Sequence, residues 1–192
     1  MRVYDYILVF LIIYIICSIV EYAVHKYVMH LPFPYLIYIY QSHVHHHNNA
    51  AASSDLSLRE DDLQEYDDNL CIPVDKTFYM YILALFISYF ILLLYPKKVP
   101  LLYTGSCVLF ITLFAVLMWN TYHPVIHGLD GKKICGIYSI PSKYINVNST
   151  YSQYVINNHK AHHYYKHNEK GNFNITLPFA DFLFGSYKTI PN

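Results

Sequence analysis

Ten of the chain's twelve histidines fall into four tight clusters: Glu21-x3-His25-x4-His30, His43-x2-His46-His47, His123-x3-His127 and His159-x2-His162-His163. Neutral imidazole is the commonest metal ligand, and ten imidazoles exceed what one ion needs, so the pattern predicts a centre with two ions. Residues three and four apart share one face of a helix. His43, His46 and His47 therefore project together, as do His159, His162 and His163, and His123 with His127. Each triple can offer two ligands to one ion and one to its neighbour. His25 and His30 are five apart, about 140° around an ideal helix, and suit different ions or a helix unwinding toward Pro32. Glu21, one turn before His25, is placed to accept a hydrogen bond from that ring, or is a plain carboxylate at a membrane boundary. His45 points off its cluster face and His167 stands four residues after His163. Both are candidates for an outer role, or are simply solvated.

An all-imidazole, cysteine-poor set suits iron, zinc, copper or nickel. No zinc-protease HExxH, nucleophile-elbow or P-loop sequence competes with it. The four cysteines, Cys17, Cys71, Cys107 and Cys135, form no CxxC pair, so neither a disulfide framework nor a zinc ribbon is expected. Thirteen basic against thirteen acidic residues leave no polybasic face for nucleic acid.

The elements that must position these histidines are membrane helices. Hydrophobic residues make up 55% of the chain and charged residues 14%, with 22 tyrosines of the kind that gather at membrane–water boundaries. At 192 residues the chain reads as a single domain, 1–192, an all-α integral membrane bundle carrying a histidine-rich cap. Spans are expected at about residues 4–21, 77–95 and 101–119; their apolar runs contain no Asp, Glu, Lys, Arg or His. The first run follows Arg2 like a signal peptide, but no small-x-small cleavage site follows it, so a retained span is expected. Leu31 to Tyr40 is apolar, too short to cross and broken by Pro32 and Pro34, which suits an interfacial piece. Residues 48–76 form an acidic, solvated loop holding Asp55, Glu60, Asp61, Asp62, Glu65, Asp67, Asp68 and Asp75. Two spans between His47 and His123 return the chain to the side it left, so all four clusters can meet on one side. That side carries ten Lys and Arg against three (Arg2, Lys97 and Lys98) on the other, which predicts a cytoplasmic cap. The sequons at Asn148 and Asn174 would then go unused.

The ordered quartet HX4H, HX2HH, HX3H, HX2HH resembles that of the fatty acid hydroxylase / sterol desaturase superfamily of membrane di-iron oxygenases. In spacing it is nearest the fatty acid 2-hydroxylase branch. Glu21-Tyr22-Ala23-Val24-His25-Lys26-Tyr27 is similar to that branch's first motif, and Lys160-Ala161-His162-His163 to its last. Asn172-Phe173-Asn174-Ile175 and Leu177 to Ser186 resemble the superfamily's closing signature, so the likeness runs from Glu21 to Tyr187. It implies that the ten clustered histidines bind two iron ions (zinc in some preparations), that dioxygen is a co-substrate, and that the home is the endoplasmic reticulum. The chain has no fused haem domain, so electrons would come from a separate donor such as cytochrome b5 and its reductase. The first motif also resembles that of carotenoid hydroxylases, whose third motif has four intervening residues where this chain has three.

The expected activity is O2-dependent hydroxylation of a membrane lipid, most readily an acyl chain. A desaturase, or a sterol or carotenoid hydroxylase, would use the same core. The rival of another class is a non-catalytic metal-binding membrane protein. Transport predicts ionisable residues inside the spans, and runs 77–95 and 101–119 carry none.

Overall fold

The computed structural model describes residues 2–51, 53, 55–58, 70–165 and 170–191. Six of the loop's eight acidic residues, Glu60, Asp61, Asp62, Glu65, Asp67 and Asp68, lie outside the described residues, as does His167. The described chain is all helical. Helix α1 spans Val3–Ala23, α2 Ile37–Ala51, α3 Val74–Leu92 and α4 Leu101–Ile126. The short α5 (Gly131–Cys135) precedes α6 (Thr150–Tyr164) and α7 (Ala180–Leu183).

Three helices are long and apolar enough to cross a membrane: Val3–Met29, Val74–Leu92 and Leu101–Ile126. Their bounds differ from the expected spans for physical reasons. Pro73 sits at the N-cap of α3 and starts it three residues early. Helix α4 continues past the apolar run to Ile126, carrying His123 within it and tolerating Pro124 in its last turn. A 26-residue helix is about 39 Å long, more than a hydrocarbon core of about 30 Å requires. Helix α1 likewise continues into a π-helical turn at Val24–Met29. Histidines therefore stand at the C-terminal ends of two of these helices.

The bundle packs by one face of each helix. Val9, Ile13, Ile16 and Val20 of α1 meet Ala84 and Leu92 of α3 and Cys107, Val108, Ile111 and Ala115 of α4. The opposite faces are apolar and exposed, with Leu8, Leu11, Phe86, Phe90, Phe110 and Leu113 turned outward, as lipid-facing surfaces are. At the far end, Lys97 in the α3–α4 turn pairs with Asp5 of α1 at 2.7 Å. A second core joins the bundle to the cap: Met118, Trp119, Tyr122 and Ile126 of α4 pack on Val155 of α6 and on Ile175. Ser149 caps α6, its side chain accepting from Ser152 N at 3.1 Å, and so sets where the last histidine triple begins. Between α1 and α2, the Pro-broken segment leaves Leu31, Phe33, Tyr35 and Leu36 exposed beside the boundary.

One cysteine expectation is overturned. Cys71, just before α3, and Cys135, at the end of α5, form a disulfide across 64 residues of sequence. The fold, not the sequence spacing, brings these two together, which is why a search for CxxC pairs misses them. Cys17 and Cys107 are free and buried in the bundle.

Candidate metal centre

The ten clustered histidines come together in two adjacent groups. The first holds His46, His123, His127, His159 and His163, the second His25, His30, His43 and His162, and in each the nitrogens lie within 4.8 Å of one another. His47 joins the second, its Nε2 lying 3.1 Å from Nε2 of both His43 and His162. Each triple is thus divided: His43 and His47 face one group and His46 the other, while His159 and His163 face one and His162 the other. The rings of His47 and His163 stand 4.1 Å apart and join the two groups. Either group could hold a metal ion, and among the described residues neither contains a carboxylate or a thiol.

His25 and His30 serve the same group, not different ones. The π-helical turn explains this, because i→i+5 bonding brings residues five apart onto about the same face. Their rings stack with centroids 5.2 Å apart. Beyond His30, Leu31 to Pro34 cannot continue the helix, and the widened turn ends there.

Backbone carbonyls orient the rings. Nδ1 of His25 bonds the Phe173 carbonyl at 2.8 Å, that of His162 the Gly171 carbonyl at 2.7 Å, that of His123 the Leu70 carbonyl at 3.2 Å and that of His127 the Leu56 carbonyl at 2.8 Å. A carbonyl only accepts, so each of these rings carries its proton on Nδ1 and turns a bare Nε2 lone pair inward. Each of these four Nε2 atoms faces that of another ring: Nε2–Nε2 distances are 3.2 Å for His25–His43, 3.0 Å for His162–His30, 3.2 Å for His123–His46 and 3.1 Å for His127–His159. Three of the four acceptors lie next to or at unusual backbone. Asn172, between the Gly171 and Phe173 carbonyls, has φ +57°, and Leu56 has φ +67°, rare for leucine.

Burial keeps these imidazoles neutral. His43, His46, His47, His159, His162 and His163 are all held well below their ordinary pKa, first by desolvation and then by one another. Burial lowers His30 to about 2, and lowers His127 to about 4 against the opposing pull of its bond to Leu56. Neutral rings are the form that binds metal.

Of the two readings of Glu21, the bond to His25 is not formed. Its carboxylate accepts from Thr176 N at 2.9 Å, Thr176 Oγ1 at 2.7 Å, Leu177 N at 2.9 Å and Asn174 Nδ2 at 3.1 Å. His25 has its acceptor in Phe173 instead, and Glu21 pins the segment that follows that residue. Asp181 completes the clamp, accepting from Phe173 N at 2.9 Å, Asn174 N at 2.6 Å and Ser186 Oγ at 2.7 Å. Sequence reasoning assigned Asp181 no role, because a contact made through backbone amides leaves no spacing signal. His45 lies outside both groups, its Nε2 2.7 Å from Asn49 Nδ2. The disulfide has a place here too: Cys71 follows Leu70, whose carbonyl orients His123, and Ile72 is held at N and O by the Asn120 side chain.

The clamp gives a selective prediction. Asp181→Asn replaces an acceptor by a donor opposite two backbone amides, loosening the carbonyls that orient His25 and His162. Metal affinity of the second group should fall about 10–100-fold, the range for loss of an orienting partner. The first group, oriented by Leu70 and Leu56, should keep its ion. Isothermal titration that resolves two sites checks this; equal weakening of both would contradict it. Gly171→Ala should act in the same direction, since a Cβ there would run into the Ser186 carbonyl.

Fold and site together define an all-helical protein with three helices suited to cross a membrane and two buried imidazole groups at their ends. No protein-family model, curated protein or solved structure matches the chain.

Proposed function

We propose that the chain is a di-iron, O2-dependent lipid hydroxylase of the membrane, acting on an acyl chain. The observation that carries this reading is the convergence of ten imidazoles in two neighbouring groups at the ends of helices long and apolar enough to cross a membrane. The five mutually close imidazoles of the first group exceed the four of a structural zinc site. Iron of this kind, when bound, supplies dioxygen activation for attack on an unactivated C–H bond, which side chains cannot perform. The chain's own residues fix the ring tautomers, keep the rings neutral and bring an apolar substrate near. An apolar cleft inside the bundle is lined by Val20, Val24, Ala84, Val116 and Trp119, with His25 also on its wall. The exposed Leu31–Leu36 segment lies at the boundary where a lipid would enter. Electrons would come from a separate donor such as cytochrome b5 and its reductase. A desaturase outcome on the same residues differs only in the fate of the substrate after the first C–H abstraction.

The test is expression with a compatible reductase under labelled dioxygen. Hydroxylated acyl lipid carrying the label, formed only when His163 is intact, is the expected result. Product formed without oxygen, or carrying label only from water, would contradict the reading.

For sidedness we propose an endoplasmic reticulum membrane with the cap in the cytoplasm, on the strength of the Lys and Arg distribution. The Cys71–Cys135 disulfide pulls the other way, since such bonds persist mainly in oxidising compartments. Burial of Cys135 shields it from reductants. Asn148 is exposed just before α6 and reports directly on this choice, whereas Asn174 is fully buried with its side chain bonded to Ser18 and Glu21. Asn148 should stay unglycosylated in a eukaryotic membrane. A glycan there would move the cap to the lumenal side.

A further inference from the structure

A cavity of about 800 Å³ opens over both imidazole groups, with His30, His47 and His163 among its lining residues. Leu31, Val44 and Phe173 supply apolar wall, and Lys26 and Lys170 supply two cations; none of the described lining residues is acidic. Lys170 Nζ lies 3.0 Å from His30 Nδ1, and Lys170 makes no ion pair with a described residue. Lys26 is held at the rim by Tyr22 Oη at 2.8 Å, over the rings of Tyr22, Tyr27 and Phe173.

Lys170 is badly placed if the centre acts alone. An ammonium donating to Nδ1 of His30 leaves that ring's single proton on Nε2, the atom facing His43 and His162. His30 then has no lone pair to offer its group. A cation so near also repels any ion held there. An anion in the cavity relieves both problems, because it takes Lys170's hydrogen bonds and balances its charge.

We propose that this cavity binds the anionic head, carboxylate or phosphate, of the lipid substrate, with Lys170 as the principal contact and Lys26 as the second cation. The apolar wall takes the first carbons of the chain and leaves them beside the two imidazole groups. The arriving head draws Lys170 off His30 and frees that ring to complete its group. This rests on the lipid reading above and adds to it the charge of the substrate and the residue that reads it.

The test uses the full chain in neutral-lipid nanodiscs and measures equilibrium binding, not turnover, of hexadecanoic acid, its methyl ester and inorganic phosphate. Metal content is determined on each sample. The acid should bind at least about tenfold more tightly than the ester, as expected for a charge-assisted hydrogen bond. Lys170→Gln should reduce that ratio to near one at unchanged metal content, and Lys170→Arg should retain it. Equal binding of acid and ester by the wild type, or an unchanged ratio in Lys170→Gln, would overturn the proposal. Inorganic phosphate displacing the acid at equal concentration would overturn the lipid assignment and leave a site for free anions. Acid preference in a sample that holds no iron would support the anion site while counting against the di-iron reading, so the two failures are separable.

Discussion

Alanine at His46 or at His162 is expected to remove one ion each, from different groups, and to abolish turnover in both cases. His46 faces His123 at 3.2 Å and belongs to the first group; His162 faces His30 and His47 and belongs to the second. Loss of one imidazole deletes a ligand and also leaves a void in a fully packed cluster of rings. The loss should exceed the about 10–100-fold weakening typical of a lost orienting partner. The groups draw their orientation from separate segments, residues 171–173 for one and Leu56 with Leu70 for the other. Each variant should therefore keep about half of the wild-type metal. His45→Ala should keep all of it, since that ring bonds Asn49 outside both groups. Metal loss in His45→Ala as severe as in His46→Ala would refute the assignment of ligand faces.

Acidification should open the metal-free cap sharply. The buried histidines are held below their ordinary pKa by desolvation, His127 to about 4 and His43, His46, His47, His159, His162 and His163 well below it. The folded state therefore keeps them neutral where the unfolded chain, titrating near about 6.5, takes up protons. Their stabilisation is complete above that value and is lost as pH falls toward the folded-state value. Each such histidine removes about 1.4 kcal/mol per pH unit across that window. A few acting together exceed the stability of an ordinary domain, so the metal-free cap should open between about pH 6.5 and 5. Bound metal should displace the transition downward, because the ions compete with protons for the same nitrogens. Limited proteolysis of residues 150–177 against pH, with and without metal, measures this. A metal-free cap equally resistant at pH 7.5 and pH 5 would contradict it.

How far the sequence foretold this arrangement depends on the kind of signal. Helix-face spacing allowed His43, His46 and His47, or His159, His162 and His163, to divide two to one. Apolar runs were enough to locate three spans, though not their ends. Helix α4 runs on to Ile126 because its polar last turns pack against α6 and Ile175, a tertiary contact that hydropathy does not register. The joint service of His25 and His30 depended on a π-helical turn, which ideal 3.6-residue geometry does not anticipate. Glu21 stood out in the sequence for its distance from His25, yet it works through amides 150 or so residues away. The partners that orient the rings are main-chain carbonyls of Leu56, Leu70, Gly171 and Phe173. Side-chain identity carries no record of them. The same holds for the disulfide, whose cysteines meet only once α5 has folded back near Leu70.

The most direct test of the central claim is metal analysis of anaerobically purified, iron-loaded chain, combined with X-ray absorption at the iron edge. Two iron ions per chain, in a nitrogen-dominated environment with five or six ligands each, are expected. A chain that retains one ion or none, or whose iron is bound mainly by sulfur or carboxylate oxygen, would contradict the reading of ten imidazoles as one two-ion centre.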